Sequence, residues 1–297
     1  MAPQRVEVQI DGRTLSLSNL DKVLYPRAGF TKAQVIDYYT RVAPALLPHL
    51  RGRPLTLKRY PNGVDGGHFY EKQCPAHRPA WVRTADVPTR SKTIRFCLAD
   101  DLPTLVWLAN LADLELHTSL SLAADVTRPT VLAFDLDPGV PATIVECAQV
   151  ALDVREAFDH LGLAAFAKTS GSKGMQVYVP LNTPVTYEQT KTFALGIAQV
   201  LERRRPELVV SDMRKDLRRG RVLVDWSQND EHKTTVCVYS LRGLDRPTAS
   251  APLRWEEVER AAAGEPLAFS SDDVLARVAE HGDLFAPVLE LEQSLPL

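Results

Sequence analysis

The sequence predicts a mixed α/β or α+β protein whose strands pair largely in antiparallel fashion. Two β-like runs flank Asp11 and Gly12, a dipeptide typical of a tight hairpin turn. Thr31 and Thr186 are each followed three residues later by Gln, which is the capping-box start of a helix. Short apolar runs recur between these helical segments, so the helices are expected to pack against sheets.

The first part of the chain is predicted to contain both strands and helices. Two short helices are expected before residue 51, because Pro44 can begin a new helix after the first one ends near Arg41. Residues 61–79 are rich in Pro and Gly and are expected to form a long functional loop. The expected strands are 6–10, 14–18, 55–60, 94–98 and 115–119, and the expected helices are 31–41, 44–50 and 105–112.

The remaining residues continue to alternate between strands and helices. One strand is expected to begin at Thr130. The other expected strands are 165–169, 176–181, 208–210, 222–226 and 234–239, and the expected helices are 144–161, 186–203, 255–262 and 272–281. No internal repeat or clear linker interrupts the 297 residues, so a single catalytic domain is predicted.

Composition restricts the location and the cysteine chemistry. No apolar run approaches the ~20 residues that span a bilayer, and residues 1–5 lack the order of a signal peptide, so a cytoplasmic protein without a membrane partner is expected. The four cysteines form no C-x-x-C pair and are predicted to be reduced thiols; they are Cys74, Cys97, Cys147 and Cys237. His68, Cys74 and His77 form only a weak zinc pattern, because their spacing is irregular.

Two carboxylates, Asp135 and Asp137, end an apolar strand in the segment VLAFDLDPG. Alternate side chains of a strand share a face, so both are predicted to project together while Leu136 points into the core. Asp225, which ends the RVLVDW strand, is the candidate third carboxylate. Mg²⁺ and Mn²⁺ prefer carboxylate and phosphate oxygens, and a two-ion site needs bridging carboxylates. These residues therefore indicate a metal-dependent nucleotidyl-transfer site.

Two other interpretations of the D-x-D motif remain open. A D-x-D at the end of a strand also starts a turn, with Pro138 and Gly139 as the turn residues. Haloacid-dehalogenase-type phosphatases place the same motif after an apolar strand. They usually carry Thr or Val where this sequence has Gly139, which weakens that interpretation.

A second candidate site is the segment from Ser170 to Gly174 between two predicted strands. Its small residues let the backbone approach a phosphate, and Lys173 adds a positive charge. No Walker A motif is present, so a P-loop ATPase is disfavoured and a simple glycine hairpin is the alternative. Residues 213–221 also suit phosphate contacts despite the net charge of −2, although a solvated surface has the same pattern.

Together these segments resemble the archaeo-eukaryotic primase superfamily, in particular the polymerase domain of bacterial DNA ligase D used in non-homologous end joining. The matching motifs extend over nearly the whole chain: LSNLDKVLYP, LTLKRYPNGVDGGHFYEK, WLANLADLELH, FDLDPG, TSGSKGMQVYVPL, RRGRVLVDWSQN, TTVCVYSLRG and PLRWEEV. The resemblance implies an archaeo-eukaryotic primase fold, with antiparallel or mixed sheets flanked by helices and an RRM-like catalytic core. It also implies a DNA-end-binding part near 1–100, a catalytic core near 101–260 and C-terminal helices near 255–297.

The resemblance also implies roles for residues in these motifs. The residues implied to bind two metal ions are Asp135, Asp137 and Asp225. The residues implied to contact the incoming nucleotide are Lys58, His117, Ser170, Ser172, Lys173, Gln176 and Arg242. The residues implied to contact DNA are Lys22, Lys32, Phe69, Tyr70, Lys72 and Arg218, with Arg219 and Arg221 as alternatives to Arg218. Of these, the first two lysines would grip a 5′-phosphate and the two aromatic rings would stack on template bases.

Several of these residues have an ordinary structural alternative. Without the resemblance, Lys22 and Lys32 would be interpreted as solvated charges, Phe69 and Tyr70 as core aromatics, and His117 as a hydrogen-bonded strand residue. Gln176 also departs from the family, which usually has His at the end of S-x-K-G-x-H. Since Gln cannot become cationic, nucleotide binding is expected to be weaker or to depend more on Lys173 and metal.

The implied function is a template-directed polymerase that fills gaps and extends ends during bacterial DNA break repair, preferring ribonucleotides. Its expected cofactors are two Mn²⁺ or Mg²⁺ ions, and its expected substrates are nucleoside triphosphates and gapped or recessed DNA with a 5′-phosphate. The sequence lacks a K-x-D-G ligase motif, so sealing is expected from another protein or from another part of a longer chain. The resemblance implies Ku and a separate DNA ligase as candidate partners at the nucleoid. The alternatives are a two-metal phosphoesterase or nuclease and a non-catalytic module that binds 5′-phosphate ends.

Overall fold

The computed structural model describes residues 5–89 and 91–296, and the chain divides into two units. The first unit comprises Val236–Ala249, Ser270–Gly282 and the described residues of Met1–Ser119. The second comprises Leu120–Thr235, Ser250–Phe269 and the described residues of Asp283–Leu297. Each unit therefore combines separate stretches of sequence. A single catalytic domain with successive parts stays a prediction.

The described residues form a mixed α/β structure, as predicted. The strands are β1 (Arg5–Ile10), β2 (Arg13–Ser18), β3 (Val23–Tyr25), β4 (Phe30–Thr31), β5 (Leu55–Arg59), β6 (Phe69–Glu71), β7 (Thr84–Pro88), β8 (Thr93–Cys97), β9 (Asp113–Thr118), β10 (Ser121–Leu122), β11 (Asp125–Pro129), β12 (Val131–Pro138), β13 (Phe166–Thr169), β14 (Met175–Pro180), β15 (Val209–Val210), β16 (Val222–Asp225), β17 (Thr235–Val236) and β18 (Pro252–Leu253). The α-helices are α1 (Lys32–Leu50), α2 (Leu102–Asn110), α3 (Ile144–His160), α4 (Tyr187–Arg204), α5 (Trp255–Ala262), α6 (Ser271–His281) and α7 (Pro287–Glu290). None of the described helices has both the length and the hydropathy that crossing a bilayer requires.

Helix α1 of the first unit is continuous, so the predicted break at Pro44 is wrong. The capping box of Thr31 and Gln34 starts the helix as expected. Pro44 and Pro48 both lie on the exposed face, one turn apart. The carbonyl groups that lose an amide donor there can bind water, which limits the penalty for Pro within a helix.

The main sheet of the first unit has the strand order β17-β9-β5-β8-β7, with β6 also paired to β5. Strands β6 and β7 were absent from the sequence-based expectation. Strand β6 lies within the segment 61–79 that was expected to be a loop, and β7 precedes the expected strand 94–98. Both are short and contain no fully buried residue, so neither carries the apolar alternation that predicts a strand.

The six-stranded sheet of the second unit has the order β15-β16-β12-β14-β13-β18. Strand β12 pairs antiparallel with both β14 and β16, and β15 pairs parallel with β16. Phe134 and Leu136 of β12 are fully buried in an apolar core with Val150 and Val154 of α3. Since strand side chains alternate, the residues between them face away from this core.

Cys74 and Cys97 form a disulfide in the first unit, so the prediction that all four cysteines are reduced is wrong. The Cys74 amide donates to the Arg95 carbonyl oxygen at 2.6 Å, which brings Cys74 beside β8. The two Cα atoms are 4.9 Å apart, although 23 positions separate them in sequence. Pairing of distant strands creates this proximity, and cysteine spacing alone does not reveal it. Cys147 and Cys237 are buried free thiols.

Breaking this disulfide by Cys97→Ser is expected to lower the free energy of unfolding by about 3 kcal/mol, because the bond closes a loop that restricts the unfolded chain. Urea unfolding of the wild type with and without dithiothreitol, beside the variant, measures the effect. Dithiothreitol should destabilise the wild type and leave the variant unchanged. Four titratable thiols in the unreduced, denatured wild type would contradict the disulfide.

Candidate functional site

A row of polar residues crosses four strands of the second unit at the same register. Lys168 pairs with Gln176, Gln176 pairs with Asp135, and Asp135 pairs with Asp225. Directly paired residues project from the same face of a sheet. Asp137 lies two positions after Asp135 on β12 and shares this face, whereas Leu136 is fully buried on the other. The predicted alternation across the D-x-D motif is therefore confirmed.

The three carboxylates concentrate negative charge at this end of the sheet. Burial, and then the neighbouring charge of Asp137, raises the pKa of Asp135 to about 7, and Asp225 acts in the same direction. Gln176 opposes this shift, since its Nε2 donates to Asp135 Oδ1 at 3.2 Å. A bound cation would relieve the same repulsion, so the donor chemistry fits a hard divalent ion.

The carboxylate of Asp225 accepts hydrogen bonds from the residues that directly follow it. Its Oδ1 accepts from the Ser227 amide at 2.9 Å, and its Oδ2 accepts from Gln228 Nε2 at 3.0 Å. Across residues 5–89 and 91–296, no group of three or more His, Cys, Asp or Glu side chains is arranged so that it could hold a metal ion. The assignment of two ions to Asp135, Asp137 and Asp225 stays a prediction.

The loop between β13 and β14 is closed by Ser170. Its Oγ accepts from the amides of Ser172 and Gly174, both at 3.2 Å, and its own amide donates to the Gly174 carbonyl oxygen at 2.9 Å. Ser172 and Lys173 are exposed at the tip of the loop. This arrangement presents a hydroxyl and an ammonium group to solvent, as a phosphate-binding loop requires.

Gly174→Ala is expected to lower the free energy of unfolding by about 1–3 kcal/mol, because a Cβ there would lie 2.1 Å from the Leu136 carbonyl oxygen. Relief of this clash would push the start of β14 away from β12, the strand that carries Asp135 and Asp137. Gly196→Ala is the matched control, since its Cβ would meet nothing within 4 Å in α4, and it should be neutral or stabilising. Urea unfolding of both variants measures the difference, and equal stability of the two would contradict the clash.

In the first unit, Lys58, His117 and Arg242 converge on one buried carboxylate, Glu115. Glu115 Oε1 accepts from Lys58 Nζ at 2.8 Å and from the Tyr60 hydroxyl at 2.7 Å. Its Oε2 lies 3.1 Å from both His117 Nε2 and Arg242 Nε. Sequence reasoning missed Glu115, although a charged residue between Leu114 and Leu116 in a strand is a usable signal.

The Glu115 cluster shifts the pKa of its members. Burial acts to raise the pKa of Glu115, but the hydrogen bond from His117, the charge of Arg242 and the hydrogen bond from Lys58 hold it well below its ordinary value. Burial lowers the pKa of His117, and the charges of Arg242 and Lys58 lower it further. Glu115 acts in the opposite direction and raises the pKa of His117. Two cations therefore face one carboxylate. Binding of nucleotide by Lys58, His117 and Arg242 stays a prediction.

Lys22 and Lys32 lie close to each other in the first unit. Lys32 is the first residue of α1, and its Nζ donates to the Ser18 carbonyl oxygen at 2.8 Å and to Asn110 Oδ1 at 3.2 Å. It is 5% exposed, so the interpretation as a solvated charge is wrong for Lys32. Burial, and then the charge of Lys22, lowers the pKa of Lys32 to about 8. Crowded positive charge at a helix N-terminus suits an anion.

The rings of Phe69 and Tyr70 are 44% and 58% exposed, so the interpretation as core aromatics is wrong. The Arg59 guanidinium lies 5.2 Å from the centroid of Phe69, and Lys58 Nζ lies 5.5 Å from that of Tyr70. Lys72, which follows β6, is exposed. Exposed rings beside cations are typical of stacking platforms for bases. Contact of these residues with DNA stays a prediction.

Arg218 lies in the second unit, at the end of a short 3₁₀ turn formed by Lys215–Arg218. Its Nη2 donates to the Met213 carbonyl oxygen, and its Nε is buried without a hydrogen-bond partner among the described residues. A Cβ at Gly139 would lie 1.9 Å from the Arg218 carbonyl oxygen, so the turn packs directly on the end of β12. The predicted DNA contact of Arg218 stays a prediction.

Comparisons with known proteins agree with the resemblance. A family model described as LigD, primase-polymerase domain, matches residues 31–285. The chain is 42% identical over 274 residues to the multifunctional non-homologous end joining protein LigD of Mycolicibacterium smegmatis, covering 92% of this chain and 36% of that protein. It is 32% identical over 284 residues to the bifunctional non-homologous end joining protein LigD of Bacillus subtilis, covering 95% of this chain and 45% of that protein. The chain thus spans less than half the length of these relatives.

A solved structure has the same fold. The polymerase domain from Mycobacterium tuberculosis ligase D in complex with DNA matches with a TM-score of 0.88 at 41% sequence identity. The match covers 94% of this chain and 99% of that chain. The resemblance and the fold predicted from the sequence motifs are therefore confirmed.

Proposed function

Because this chain belongs to the family of LigD primase-polymerase domains, we propose that it is a template-directed nucleotidyltransferase that fills gaps and extends ends in DNA break repair by non-homologous end joining. The observation that carries the proposal is the same-face placement of Asp135, Asp137 and Asp225 on two paired strands. Such carboxylates are the groups that position divalent ions in phosphoryl transfer.

Each part of the second-unit site has a role in this reaction. Asp135, Asp137 and Asp225 would hold the two divalent ions, and Gln176 orients Asp135 through its amide. When bound, Mn²⁺ or Mg²⁺ would supply the positive charge that stabilises the transferring phosphoryl group. The tip of the Ser170 loop binds the triphosphate through the hydroxyl of Ser172 and the ammonium of Lys173.

The proposed second substrate is DNA with a 5′-phosphate at a gap or recessed end. Lys22 and Lys32 hold that phosphate, and Phe69 and Tyr70 stack on template bases in a sequence-tolerant way. The structural relative from Mycobacterium tuberculosis is in complex with DNA, which supports this assignment. The same proposal includes a preference for ribonucleotides, cooperation with Ku and a DNA ligase, and a cytoplasmic, nucleoid-associated location.

Affinity for 5′-phosphorylated DNA is expected to fall about fivefold or more between pH 7 and pH 9. Lys32 has a pKa of about 8, so it loses the positive charge that attracts phosphate as the pH rises through that value. Fluorescence anisotropy measures the affinity for matched DNA ends that carry either a 5′-phosphate or a 5′-hydroxyl, and the ratio of the two affinities isolates the contribution of the phosphate. In Lys32→Arg this ratio should be independent of pH, because arginine stays charged. A wild-type ratio that is constant from pH 7 to pH 9 would contradict the role of Lys32.

Primer extension tests the whole proposal. A labelled primer is annealed to gapped DNA with a downstream 5′-phosphate and incubated with Mn²⁺ and all four ribonucleotides, beside the Asp137→Ala variant. Extension directed by the template in the wild type and its loss in the variant are the expected results. Primer shortening with release of nucleotides would instead indicate a nuclease. Tight binding of 5′-phosphate ends without extension would leave an end-binding module.

A further inference from the structure

We propose that Asn110 is a positioning residue that fixes the Lys32 ammonium for the 5′-phosphate of DNA and leaves its positive charge uncompensated. The inference rests on the proposed function, since it requires that Lys32 holds that phosphate. The resemblance assigns no role to Asn110. Its hydrogen bonds with β2 and with Lys32 are what connect it to the site.

The side-chain amide of Asn110, the last residue of α2, is oriented by the backbone of β2. Its Oδ1 accepts from the Ser18 amide at 3.0 Å, and its Nδ2 donates to the Ser16 carbonyl oxygen at 3.3 Å. A backbone amide can only donate and a carbonyl oxygen can only accept, so these two bonds determine which end of the Asn110 amide is the oxygen. The end that faces Lys32 is therefore an acceptor.

Two neutral oxygens hold the Lys32 ammonium. Its Nζ donates to Asn110 Oδ1 at 3.2 Å and to the Ser18 carbonyl oxygen at 2.8 Å. An ammonium group has three N–H donors, so these two acceptors from the described part of the chain leave one donor for a phosphate oxygen. Because neither acceptor carries a formal charge, the positive charge stays available. A carboxylate in place of the Asn110 amide would offset that charge and repel the phosphate.

Among the described residues, the charges that shift the pKa of Lys32 are both positive, whereas β2 and α2 contribute neutral acceptors. Lys22 lies beside Lys32, whose backbone amide donates to the Lys22 carbonyl oxygen at 2.8 Å. The other charge belongs to Arg59 of β5, which pairs with Glu71. Burial, and then these two charges, disfavour the protonated form of Lys32 and lower its pKa. A hydrogen bond accepted by Asn110 acts in the opposite direction, because it stabilises the ammonium.

The test follows the ratio of the affinities for 5′-phosphate and 5′-hydroxyl DNA ends from pH 7 to pH 9.5 by fluorescence anisotropy. The phosphate itself does not titrate in this range, since its second pKa is about 6. Asn110→Ala removes an acceptor from the ammonium. The midpoint, at which the ratio has lost half of its value, should therefore move down by about 0.5–1 pH unit, and the ratio at pH 8 should fall about twofold to fivefold.

Asn110→Asp has nearly the same shape and should move the midpoint the other way. Its carboxylate stabilises the ammonium of Lys32, so the midpoint should rise by about one pH unit or more. The carboxylate also offsets the charge of Lys32 and repels the phosphate, so the ratio at pH 7 should fall about tenfold. A residue that only links α2 to β2 would change neither the midpoint nor the ratio, because both kinds of DNA end would be affected alike.

Gln9→Ala is the matched control, since Gln9 is an exposed amide residue that donates to Thr14 within the β1–β2 hairpin. Its midpoint should equal that of the wild type. The ¹³Cε chemical shift of Lys32 gives a second readout without DNA: the pKa of Lys32 should fall in Asn110→Ala and rise in Asn110→Asp. If Asn110→Ala does not fold, a Lys32 pKa in Asn110→Asp at or below the wild-type value overturns the inference.

Lys32→Gln separates failure of this inference from failure of the proposed function. If Lys32→Gln keeps the preference for a 5′-phosphate, the proposed phosphate site is wrong, and the inference fails with it. If Lys32→Gln loses the preference but both Asn110 variants keep the wild-type midpoint and ratio, only the role of Asn110 is overturned.

Discussion

Asp135→Asn is expected to reduce templated primer extension by more than about a hundredfold while making the metal-free protein more stable. Mutation of a residue that only hydrogen-bonds to a metal ligand typically lowers activity or metal affinity about 10–100-fold. Removal of the charge of a ligand itself should lower activity by more. Asn has nearly the same shape as Asp and still accepts from Gln176, so the sheet is kept. The loss should therefore appear in metal-dependent chemistry and not in folding.

The stability change follows from the pKa of Asp135. Its folded-state pKa of about 7 exceeds the usual value of about 3.9, so ionisation destabilises the metal-free fold progressively as pH rises from about 4 to 7 and fully above it. At pH 8 in EDTA, Asp135→Asn should gain about 1 kcal/mol or more, and the gain should vanish below about pH 4. Urea unfolding at several pH values measures this.

Asp159→Asn is the control for the Asp135 variant. Asp159 is an exposed residue on α3, paired with Arg155 one turn away, so its loss should leave both activity and stability close to wild type. Retention of a tenth or more of the extension activity by Asp135→Asn would contradict the proposed role of Asp135. A lower stability of that variant at pH 8 would contradict the charge repulsion.

Glu115→Gln is expected to lower the free energy of unfolding at pH 8 by about 3–5 kcal/mol. The side chain of Glu115 is 2% exposed and compensates the charges of Lys58 and Arg242. Removal of one partner from a buried ion pair leaves uncompensated charge in a poorly solvated site, which is the costly way to break it. The isosteric amide limits any change in packing, so the loss reports on charge.

The Glu115 effect should depend on pH. The pKa of Glu115 is held below its ordinary value, so its contribution is complete above about pH 4.3, the unfolded-state value, and is lost as the pH falls below that. Urea unfolding at pH 8 and at several pH values below 4 measures the trend. Glu259→Gln removes an exposed partner of Arg155 and should change stability by less than about 0.5 kcal/mol. A similarly small effect of Glu115→Gln would show that the ion pairs of Glu115 contribute little to the free energy of unfolding.

Local elements were predicted best where their signals lie close together in sequence. The capping boxes at Thr31 and Thr186 start α1 and α4 as expected, and the predicted helix 255–262 coincides with α5. Elements that lack such signals were missed. Strands β6 and β7 are short and half-exposed, and α1 continues through Pro44 because that residue faces solvent. In these cases the surroundings of the backbone override the local preference.

The candidate site divides in the same way. Sequence alternation sufficed to place Asp135 and Asp137 on one face, because the period of a strand is set by its own backbone. It could not place Asp225 opposite Asp135, since that depends on the register of β16 against β12. The same limit hid Lys168, which joins the carboxylates only through the pairing of β13 with β14.

Local strand periods and helix starts could be predicted from the amino-acid sequence, and its motifs identified the family. Contacts between distant side chains became visible only in the folded chain: Glu115 meets Lys58 and Arg242, and Cys74 bonds to Cys97. Helix caps and strand alternation can be predicted because they act over a few residues through the backbone. Contacts between residues far apart in sequence are set by strand register and by packing of the whole core, which no short segment encodes.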